Sequence, residues 1–429
     1  MPPRRTAPPR APVHGIRRAA LVALLAAATL AQAGPPEGYP KSYGAIVSAA
    51  RDEGRVVVYS TTDLSTVAAL IRDFELCYPG VKVEYNDLNS AELQARFLAE
   101  TAAGQASADV LWSSAMDLQM KLANDDHAER YRSPEAASLP DWAVWRDTAF
   151  GTTFEPAVFV YNKRYVTGAD IPRTHADVLR LLTTQRDKYA GNVTTYDLEK
   201  SAVGFLFATQ DSRIQTGFWE LVRALGNNAV ELEANTSVMV QRIAAGKDYL
   251  GYNLIGSYAL TRARRDPSIG VVLPEDYTLV MSRIALLSKY ATHPNAGKLW
   301  LDYLLSRRGQ GVLSSRSELF SIRSDVPGEF TAATLRQTLG GSLRAIAVGP
   351  PLLVFLDHSK QLEFLRRWRR ETGTVKQRRR HRAAASRTSR ARKGRGRPEV
   401  STVAPSRGAR QRCHARWKGP ARTPKVPSR

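Results

Sequence analysis

The sequence predicts an α/β protein with two lobes, each built on a mostly parallel β-sheet flanked by helices. Strand-like apolar runs alternate with helical patterns over residues 55–112, and a second series of this kind covers residues 158–306. Helices of this length between strands imply right-handed crossover connections. The 429 residues are 43% hydrophobic, which is sufficient to fill two cores.

The first series contains three predicted strands and two predicted helices. Val56–Tyr59 is an unbroken apolar run, as expected of a buried parallel strand. Apolar residues then recur at helical spacing from Leu64 to Phe74, and Tyr78-Pro79-Gly80 ends this helix. The series continues with a strand at Val81–Tyr85, a helix that Ser90 caps and Gly104 ends, and a strand at Asp109–Trp112.

The second series has the same alternation. Predicted strands lie at Val158–Tyr161, Val193–Tyr196, Tyr249–Asn253, Val271–Leu273 and Tyr277–Leu287, and predicted helices at Ser201–Ala208, Gly217–Leu225, Ser237–Ala245 and Asn295–Ser306. No flexible linker separates the two series. We therefore expect the chain to cross between the lobes in ordered segments, near Thr152–Val160 and Tyr277–Ile284.

The net charge of +22 is concentrated at the two ends of the chain. Residues 1–33 carry a charge of +5 and residues 366–429 a charge of +21, which leaves 34–365 at −4. The basic pI therefore says nothing about the function of the folded body. The expected organisation is a signal peptide (1–33), the first part of lobe 1 (34–152), lobe 2 (153–280), the return to lobe 1 (281–365) and an Arg-rich tail (366–429).

Residues 1–33 have the pattern of an export signal. Arg17 and Arg18 precede an apolar stretch from Ala19 to Leu30, and Ala31-Gln32-Ala33 fits a cleavage site. The apolar stretch is too short to cross a bilayer. The alternatives to a cleaved signal are an uncleaved anchor and a buried Ala-rich helix. The arginine pair leaves both the general and the twin-arginine export routes open. We expect cleavage of this signal and a periplasmic location.

The tail after residue 365 combines dense arginine with Pro, Ser and Ala and has no apolar periodicity. Such a segment cannot bury enough surface to become ordered, so a disordered tail is predicted. Its charge permits non-specific attraction to nucleic acid. The preferred interpretation is that the tail is not part of the fold, and out-of-frame translation of a GC-rich gene would produce the same composition.

Polar residues cluster where the predicted strands end. In open α/β sheets, ligands bind beyond the carboxyl ends of the strands. Hydroxyls beside free N–H groups at helix N-termini also form a setting that accepts anions. Any single one of these residues is more often an ordinary helix cap, but four such clusters in two lobes favour a shared cleft. The candidate ligand-binding residues are Ser60, Thr61, Thr62, Ser113, Ser114, Asp197, Ser201, Asn253, Ser257 and Tyr258.

No enzyme signature accompanies these clusters. The sequence has no G-x-S-x-G, H-E-x-x-H, Walker A or G-x-G-x-x-G motif in the required context. Cys77 and Cys413 are the only cysteines, and His127, His175, His293 and His358 are widely separated. We therefore predict a binding protein without catalytic residues, cofactor or bound metal.

Five segments resemble the extracellular solute-binding proteins of ABC importers, in the subgroup usually labelled ferric-iron type. They are residues 57–63 (VVYSTTD), 109–117 (DVLWSSAMD), 194–201 (TTYDLEKS), 251–259 (GYNLIGSYA) and 304–310 (LLSRRGQ). The resemblance covers about residues 40–365. It implies a type II periplasmic-binding fold whose lobes close over a ligand, and an inner-membrane ABC permease as partner.

The resemblance leaves the ligand open. Ferric members bind iron through a Tyr-Tyr pair, and the matching pair here is Ser257-Tyr258, so Tyr258 is the one remaining phenol. A hydroxyl-lined cleft suits a phosphorylated or carboxylated organic solute better. The leading prediction is a monomer that binds such an anionic solute and no specific nucleic acid. Ferric iron or a ferric chelate is the alternative, and a tail-driven nucleic-acid-binding protein is the alternative of another class.

Overall fold

Strands and helices alternate along residues 38–373, the part of the chain that the computed structural model describes. The strands are β1 (Arg55–Ser60), β2 (Lys82–Asp87), β3 (Val110–Ser113), β4 (Val144–Trp145), β5 (Ala149–Gly151), β6 (Glu155–Asn162), β7 (Val193–Tyr196), β8 (Glu231–Glu233), β9 (Leu250–Ile255), β10 (Ile269–Val272), β11 (Thr278–Met281), β12 (Ile284–Leu287) and β13 (Leu343–Ala345). The predicted signal peptide and residues 374–429 of the predicted tail lie outside the described residues.

The helices account for most of the connections. They are α1 (Tyr43–Glu53), α2 (Leu64–Cys77), α3 (Ser90–Ala102), α4 (Met116–Asn124), α5 (His175–Thr184), α6 (Arg186–Tyr189), α7 (Ala202–Ile214), α8 (Phe218–Asn227), α9 (Thr236–Ala244), α10 (Gly256–Arg265), α11 (Pro294–Leu305), α12 (Arg307–Arg316), α13 (Ala332–Leu339) and α14 (His358–Glu371). None of the helices in residues 38–373 combines the length and the apolar character needed to cross a membrane.

The first lobe is built on a six-stranded sheet in the order β2-β1-β3-β12-β5-β4. The pairs β1–β2 and β1–β3 are parallel, as the crossover helices α2 and α3 require. Strand β12 runs antiparallel to both β3 and β5. Its core includes Phe74 on α2 and Trp300 on α11, whose rings meet edge to face with centroids 5.0 Å apart.

The second lobe is built on a seven-stranded sheet in the order β13-β11-β6-β9-β7-β8, with β10 paired to β6. Strands β9, β7 and β8 are parallel to one another, whereas β6 is antiparallel to β9, β10 and β11. Both sheets are therefore mixed, which corrects the prediction of mostly parallel sheets. The antiparallel strands β6 and β12 enter from the other lobe without a crossover helix, so nothing imposes a parallel direction on them.

Two short segments carry the chain between the sheets. The chain leaves the first sheet after Gly151 and joins the second at Glu155, then leaves the second after Met281 and rejoins the first at Ile284. The two crossings lie side by side, because the N–H of Thr152 donates to the carbonyl of Arg283 (2.9 Å). Helix α4 of the first lobe also packs against α7 of the second, so buried apolar residues of both lobes form one continuous cluster.

The segment after α13 contacts both lobes. Strand β13 pairs in parallel with β11 of the second sheet, whereas Leu352 packs near α4 of the first lobe. Helix α14 then lies on α8, and the backbone of Glu371 packs closely against Gly226. A Cβ atom at position 226 would lie only 2.2 Å from the carbonyl oxygen of Glu371, so only glycine fits at this contact.

The sequence-based boundaries differ from the structure in this region. The expected return segment 281–365 includes β13 and the first half of α14, which both lie on the second lobe. The expected tail boundary at 366 falls inside α14, and its first residues are helical. Phe364 and Trp368, four residues apart, bury one face of this helix, and the surrounding arginines masked that apolar pair in the sequence.

Candidate ligand-binding cleft

A cavity of about 400 Å³ lies between the two lobes. The first lobe lines it with residues at or just after the carboxyl ends of β1, β2 and β3, among them Thr61, Asp87 and Ser114. The second lobe contributes the residues that follow β7, β8 and β9, among them Ser201 and Tyr258. The loops after six strand ends therefore share one groove, where a ligand of an α/β sheet is expected. We call this cavity the first compartment.

The N-termini of five helices line the first compartment. They belong to α2 at Asp63, α3 at Asn89 and Ser90, α7 at Ser201–Val203, α9 at Asn235–Val238 and α10 at Ile255. Ser114 precedes a sixth helix, α4. Helix N-termini carry free N–H groups and a partial positive charge, so the arrangement favours a negatively charged ligand group. Two of the five helices come from the first lobe and three from the second.

Charged side chains of both signs also line this compartment. Lys200 and Arg283 are the cations, and Asp63 and Asp87 are the anions. Burial raises the pKa of Asp63, the neighbouring Asp87 carboxylate raises it further, and Arg283 opposes both effects. Asp87 already accepts a hydrogen bond from the N–H of Leu64 at the start of α2 (2.9 Å). Lys200 and Arg283 are each paired with a carboxylate, Asp197 and Glu155 respectively, whereas Asp63 and Asp87 can accept hydrogen bonds from ligand hydroxyls.

Arg283 forms the floor of the cleft. Its guanidinium donates to both carboxylate oxygens of Glu155, with Nε–Oε1 at 2.8 Å and Nη2–Oε2 at 3.2 Å, and to Thr62 Oγ1 at 2.9 Å. Ser257 also donates to Glu155. Burial lowers the pKa of Arg283, but Glu155, with smaller contributions from Tyr258 and Tyr85, raises it by more, so the guanidinium stays charged. The floor is a neutralised pair that joins both lobes.

A second cavity of about 360 Å³ adjoins the first, and Ser237 and Tyr258 line both. It too lies between the lobes. Thr66 and the segment Ser317–Leu319 of the first lobe face helices α9 and α10 of the second. We call it the second compartment. Burial raises the pKa of the Tyr258 phenol, whereas the nearby Arg283 lowers it.

Five of the ten candidate residues line the cleft. Thr61, Ser114 and Ser201 line the first compartment, Ser257 the second, and Tyr258 both. The hydroxyls of Thr61 and Ser114 lie 3.2 Å apart, and the N–H of Ser114 donates to Thr61 Oγ1 (3.0 Å). Ser201 caps α7 by accepting from the N–H of Gly204 (3.3 Å). The structure brings these five residues together.

Four of the other five candidate residues serve the loops behind the cleft. Ser60 accepts from the N–H of Thr62 (3.1 Å), and Thr62 accepts from Arg283. Ser113 accepts from the N–H of Ala115 (3.1 Å), which shapes the turn into α4. Asp197 lies 3.1 Å from Lys200 Nζ and accepts from the N–H of Glu199. None of these four side chains is among the residues that line either compartment.

Asn253 is the candidate that lies farthest from its expected role. It is buried in the second lobe and donates to the buried carboxylate of Asp211. Tyr252 and Tyr277 donate to the same carboxylate, each at 2.8 Å. Its backbone is left-handed (φ 59°), a conformation that asparagine tolerates better than most residues. The structure places Asn253 in a core network and not in the cleft.

Sequence reasoning missed several residues that line the cleft. Arg283 interrupts the apolar run from Leu279 to Leu287, and a lone charge in such a run was an available signal. Asn89 and Asn235 stand immediately before helices and carried the ordinary signal of a cap. Lys200 had no signal, because a single lysine in a polar loop is usually exposed.

Oxygen donors for a metal ion are present in the first compartment. Tyr258, Asp63 and Asp87 supply one phenol and two carboxylates. Within residues 38–373, no three His, Cys, Asp or Glu side chains are grouped closely enough to bind a metal ion.

Comparisons with known proteins agree with this architecture. Residues 105–335 match the family described as bacterial extracellular solute-binding protein. The substrate-binding protein of an ABC transporter from Agrobacterium tumefaciens is similar in sequence and structure, with 39% identity and a TM-score of 0.71. The match covers 74% of this chain and 94% of that one. No curated protein matches the chain.

Two more distant structures share the fold. The periplasmic binding protein AfuA from Actinobacillus pleuropneumoniae, with fructose-6-phosphate bound, has 17% identity and a TM-score of 0.63, covering 75% of this chain and 99% of that one. Iron-bound HitA from Pseudomonas aeruginosa has 16% identity and a TM-score of 0.56, covering 64% and 88%. With the two sheets described above, this likeness confirms the predicted two-lobed fold.

Proposed function

Because this chain belongs to the bacterial extracellular solute-binding proteins of ABC transporters, we propose that it binds a small organic oxyanion in the interlobe cleft. The bound solute would then pass to an inner-membrane permease. In this proposal the protein is a periplasmic, non-catalytic monomer that is exported through a cleaved signal peptide and binds no specific nucleic acid. The solute class is a phosphorylated or carboxylated small molecule.

The convergence of five helix N-termini on the first compartment is the observation that carries this proposal. Each N-terminus offers a partial positive charge to an anion, and those of α9 and α10 have no side-chain cap on their N–H groups. Neutral solutes gain little from either feature. The hydroxyls of Thr61, Ser114 and Ser201 supply further hydrogen bonds to the same group. One structure with this fold contains fructose-6-phosphate, which is an oxyanion of the proposed class.

The arrangement also couples binding to closure of the lobes. N-termini from both lobes contact the anion simultaneously only when the lobes lie close to it. An anion therefore interacts more strongly with the closed form, and this differential affinity shifts the population toward closure. The crossings at residues 152–154 and 282–283 are the segments about which such a movement would occur.

Ferric iron or a ferric chelate is the second candidate. Tyr258, Asp63 and Asp87 favour it, because Fe(III) prefers anionic oxygen ligands. Iron-bound HitA shares the fold. However, the helix N-termini repel a cation, and burial of Tyr258 opposes formation of the phenolate. A ferric ion would need a synergistic anion at the helix N-termini.

Calorimetric titration of the purified protein tests the proposal. The titrants are inorganic phosphate, hexose phosphates, phosphonates, dicarboxylates, ferric chloride with a weak chelator, and ferric citrate. We expect micromolar or tighter binding of at least one organic oxyanion and no binding of ferric ion alone. Tight binding of ferric ion alone, with no response to any organic oxyanion, would contradict the proposal.

A further inference from the structure

The side-chain charges of the first compartment do not suit a solute that carries negative charge alone. Its two cations, Lys200 and Arg283, are already paired, with side-chain nitrogens 3.1 and 2.8 Å from carboxylate oxygens. The two carboxylates of the lining, Asp63 and Asp87, form no ion pair with any described residue. The unpaired charge of the lining is therefore negative, and it would repel an oxyanion unless the solute also carried a positive charge.

Asp63 presents this charge to the cleft. It occupies the N-cap position of α2, where an aspartate usually accepts hydrogen bonds from the N–H groups of its own helix. Its side chain makes no such bond, and the exposed Asp87 instead accepts from the N–H of Leu64 (2.9 Å). The partly buried carboxylate of Asp63 is thus left without a hydrogen bond or an ion pair among the described residues, and it lines the cavity.

The Asp63 carboxylate lies close to the second lobe as well. Burial is the main cause that raises the pKa of the Tyr258 phenol, and the charge of Asp63 raises it further. Tyr258 belongs to α10 of the second lobe, so the Asp63 carboxylate faces the space between the lobes. A partly buried carboxylate without a counter-charge is unfavourable, and a solute cation bound beside it would supply that counter-charge.

The positive side of the cleft lies on the second lobe. On the first lobe, side chains already bond the helix N-termini: Asp87 accepts from Leu64 at α2, and Asn89 accepts from the N–H of Glu92 at α3 (2.9 Å). The N-termini of α9 and α10 on the second lobe have no side-chain cap. The free carboxylates and the uncapped helix N-termini therefore lie on opposite lobes, which makes the cleft dipolar.

We infer that the solute is zwitterionic, with an ammonium group that pairs with Asp63 of the first lobe. This inference rests on the proposed function, because the oxyanion at α9 and α10 fixes the other end of the solute. The solute class is thereby narrowed to organic phosphates, phosphonates or carboxylates that carry an amine. Asp63 determines the specificity for the amine, and the adjacent Asp87 adds to the attraction. Each end of the solute binds a different lobe, so both ends favour closure.

Calorimetric titration with matched solutes tests this inference. One series is 2-aminoethyl phosphate, 2-hydroxyethyl phosphate and propyl phosphate, which share an anionic end and differ in the terminal group. The second series is 4-aminobutanoate, 4-hydroxybutanoate and pentanoate. We expect the amino member of at least one series to bind about tenfold or more tighter than both other members, because only the ammonium group pairs with a carboxylate.

The Asp63→Asn variant should reverse the effect of the terminal group. It should lower the affinity for the preferred amino solute by about tenfold and raise the affinity for the matching methyl-terminated solute, because the carboxylate that repels its anion is gone. The folded state should be as stable as that of the unmodified protein, since the Asp63 side chain has no partner to lose and asparagine is a good N-cap residue. Thermal unfolding checks this.

The Asp126→Asn variant is the matched control. Asp126 is another carboxylate of the first lobe, but it pairs with Lys289 and lines neither compartment. We expect it to keep the full preference for the amino solute. A loss of preference equal to that in Asp63→Asn would contradict the role given to Asp63, because it would reflect the net charge of the lobe.

The outcomes distinguish the inference from the proposed function. If these oxyanions bind but the hydroxyl or methyl member binds as tightly as the amino member in both series, the inference is wrong and the proposed function stands. The same holds if Asp63→Asn keeps the preference for the amine. If no phosphate, phosphonate or carboxylate binds, the proposed function is wrong and the inference is wrong with it.

Discussion

The guanidinium of Arg283 and the carboxylate of Glu155 form a buried two-point ion pair where the two crossings between the lobes lie side by side. Arg283 ends one crossing and Glu155 begins the strand after the other. Thr62 of the first lobe and Ser257 of the second bond to the same pair. The pair therefore fixes the geometry of both crossings beneath the cleft.

Glu155→Gln should lower the free energy of unfolding by about 3–5 kcal/mol, because it leaves a buried guanidinium without its counter-charge. Urea denaturation followed by circular dichroism measures this loss. Glu329→Gln removes one carboxylate from an exposed pair with Arg264, and its effect should stay below about 1 kcal/mol. Equal effects of the two substitutions would contradict the structural role given to the Arg283–Glu155 pair.

Asp117→Asn should change how stability depends on pH. Burial raises the pKa of Asp117 to about 7, and its side chain accepts from the N–H of Leu118 (2.8 Å). The folded protein therefore holds this proton more tightly than the unfolded chain. The contribution of the Asp117 carboxyl to the free energy of unfolding is greatest below pH 4 and is lost as the pH rises to about 7. The loss corresponds to roughly 4 kcal/mol.

Denaturation at pH 4, 5.5, 7 and 8 checks this expectation. The Asn variant should show a flatter profile and higher stability at pH 8. In the Asn variant, the free energy of unfolding should still fall slightly as the pH rises to about 6, because burial also raises the pKa of Asp302 to about 6. A profile unchanged by the substitution would show that Asp117 does not titrate in this range.

Asn253→Ala should destabilise the protein by about 1–3 kcal/mol and leave solute affinity within twofold. The substitution removes a donor to the buried Asp211 and places alanine in a left-handed backbone conformation. Asn253→Gly relieves the backbone conformation but not the lost donor, so it separates the two causes. A variant of normal stability that no longer binds solute would instead support the ligand-binding role predicted from the sequence.

Tyr258→Phe separates the two candidate solutes. A ferric ion depends on the phenolate oxygen, so the variant should lose at least a hundredfold in ferric affinity if iron is the solute. For an organic oxyanion the phenol supplies at most one hydrogen bond, and the loss should be about tenfold or less. Ser114→Ala is the control, since it removes a hydroxyl from the same compartment without removing a metal ligand.

Truncation after Gly373 should leave solute affinity and stability unchanged. It keeps α14, whose Phe364 and Trp368 pack on the second lobe, and removes most of the Arg-rich tail. The same truncation should abolish any binding to DNA or RNA in a filter assay. Loss of solute binding would contradict the separation of tail and cleft, as would nucleic-acid binding that survives truncation.

Much of the fold could be predicted from the sequence, because strands such as β1, β3 and β6 contain continuous apolar runs and helices such as α2 and α11 carry apolar residues at helical spacing. The site was predicted less completely, for a physical reason. Hydroxyls after a strand can face the cleft, as Thr61 and Ser114 do, or turn back to bond the loop, as Ser60 and Ser113 do. The local sequence does not distinguish the two cases. The direction in which each hydroxyl points depends on packing between lobes whose residues are distant along the chain.

Residues that act through long-range partners were also beyond the reach of local patterns. Glu155 and Arg283 are separated by 128 positions, so neither predicts the other. The apolar face of α14 was hidden because arginines occupy most of its other positions. In each case, burial is created by another part of the chain.

The segment between β13 and α14 connects the two lobes and so bears on how the cleft opens. The N–H of Val348 donates to the carbonyl of Trp142 in the first lobe (2.8 Å), while β13 before it and α14 after it belong to the second lobe. A wide opening of the lobes would break the hydrogen bond between Val348 and Trp142 or separate α14 from α8. Opening of the cleft beyond the reach of this segment is therefore expected to cost at least the backbone hydrogen bond between Val348 and Trp142.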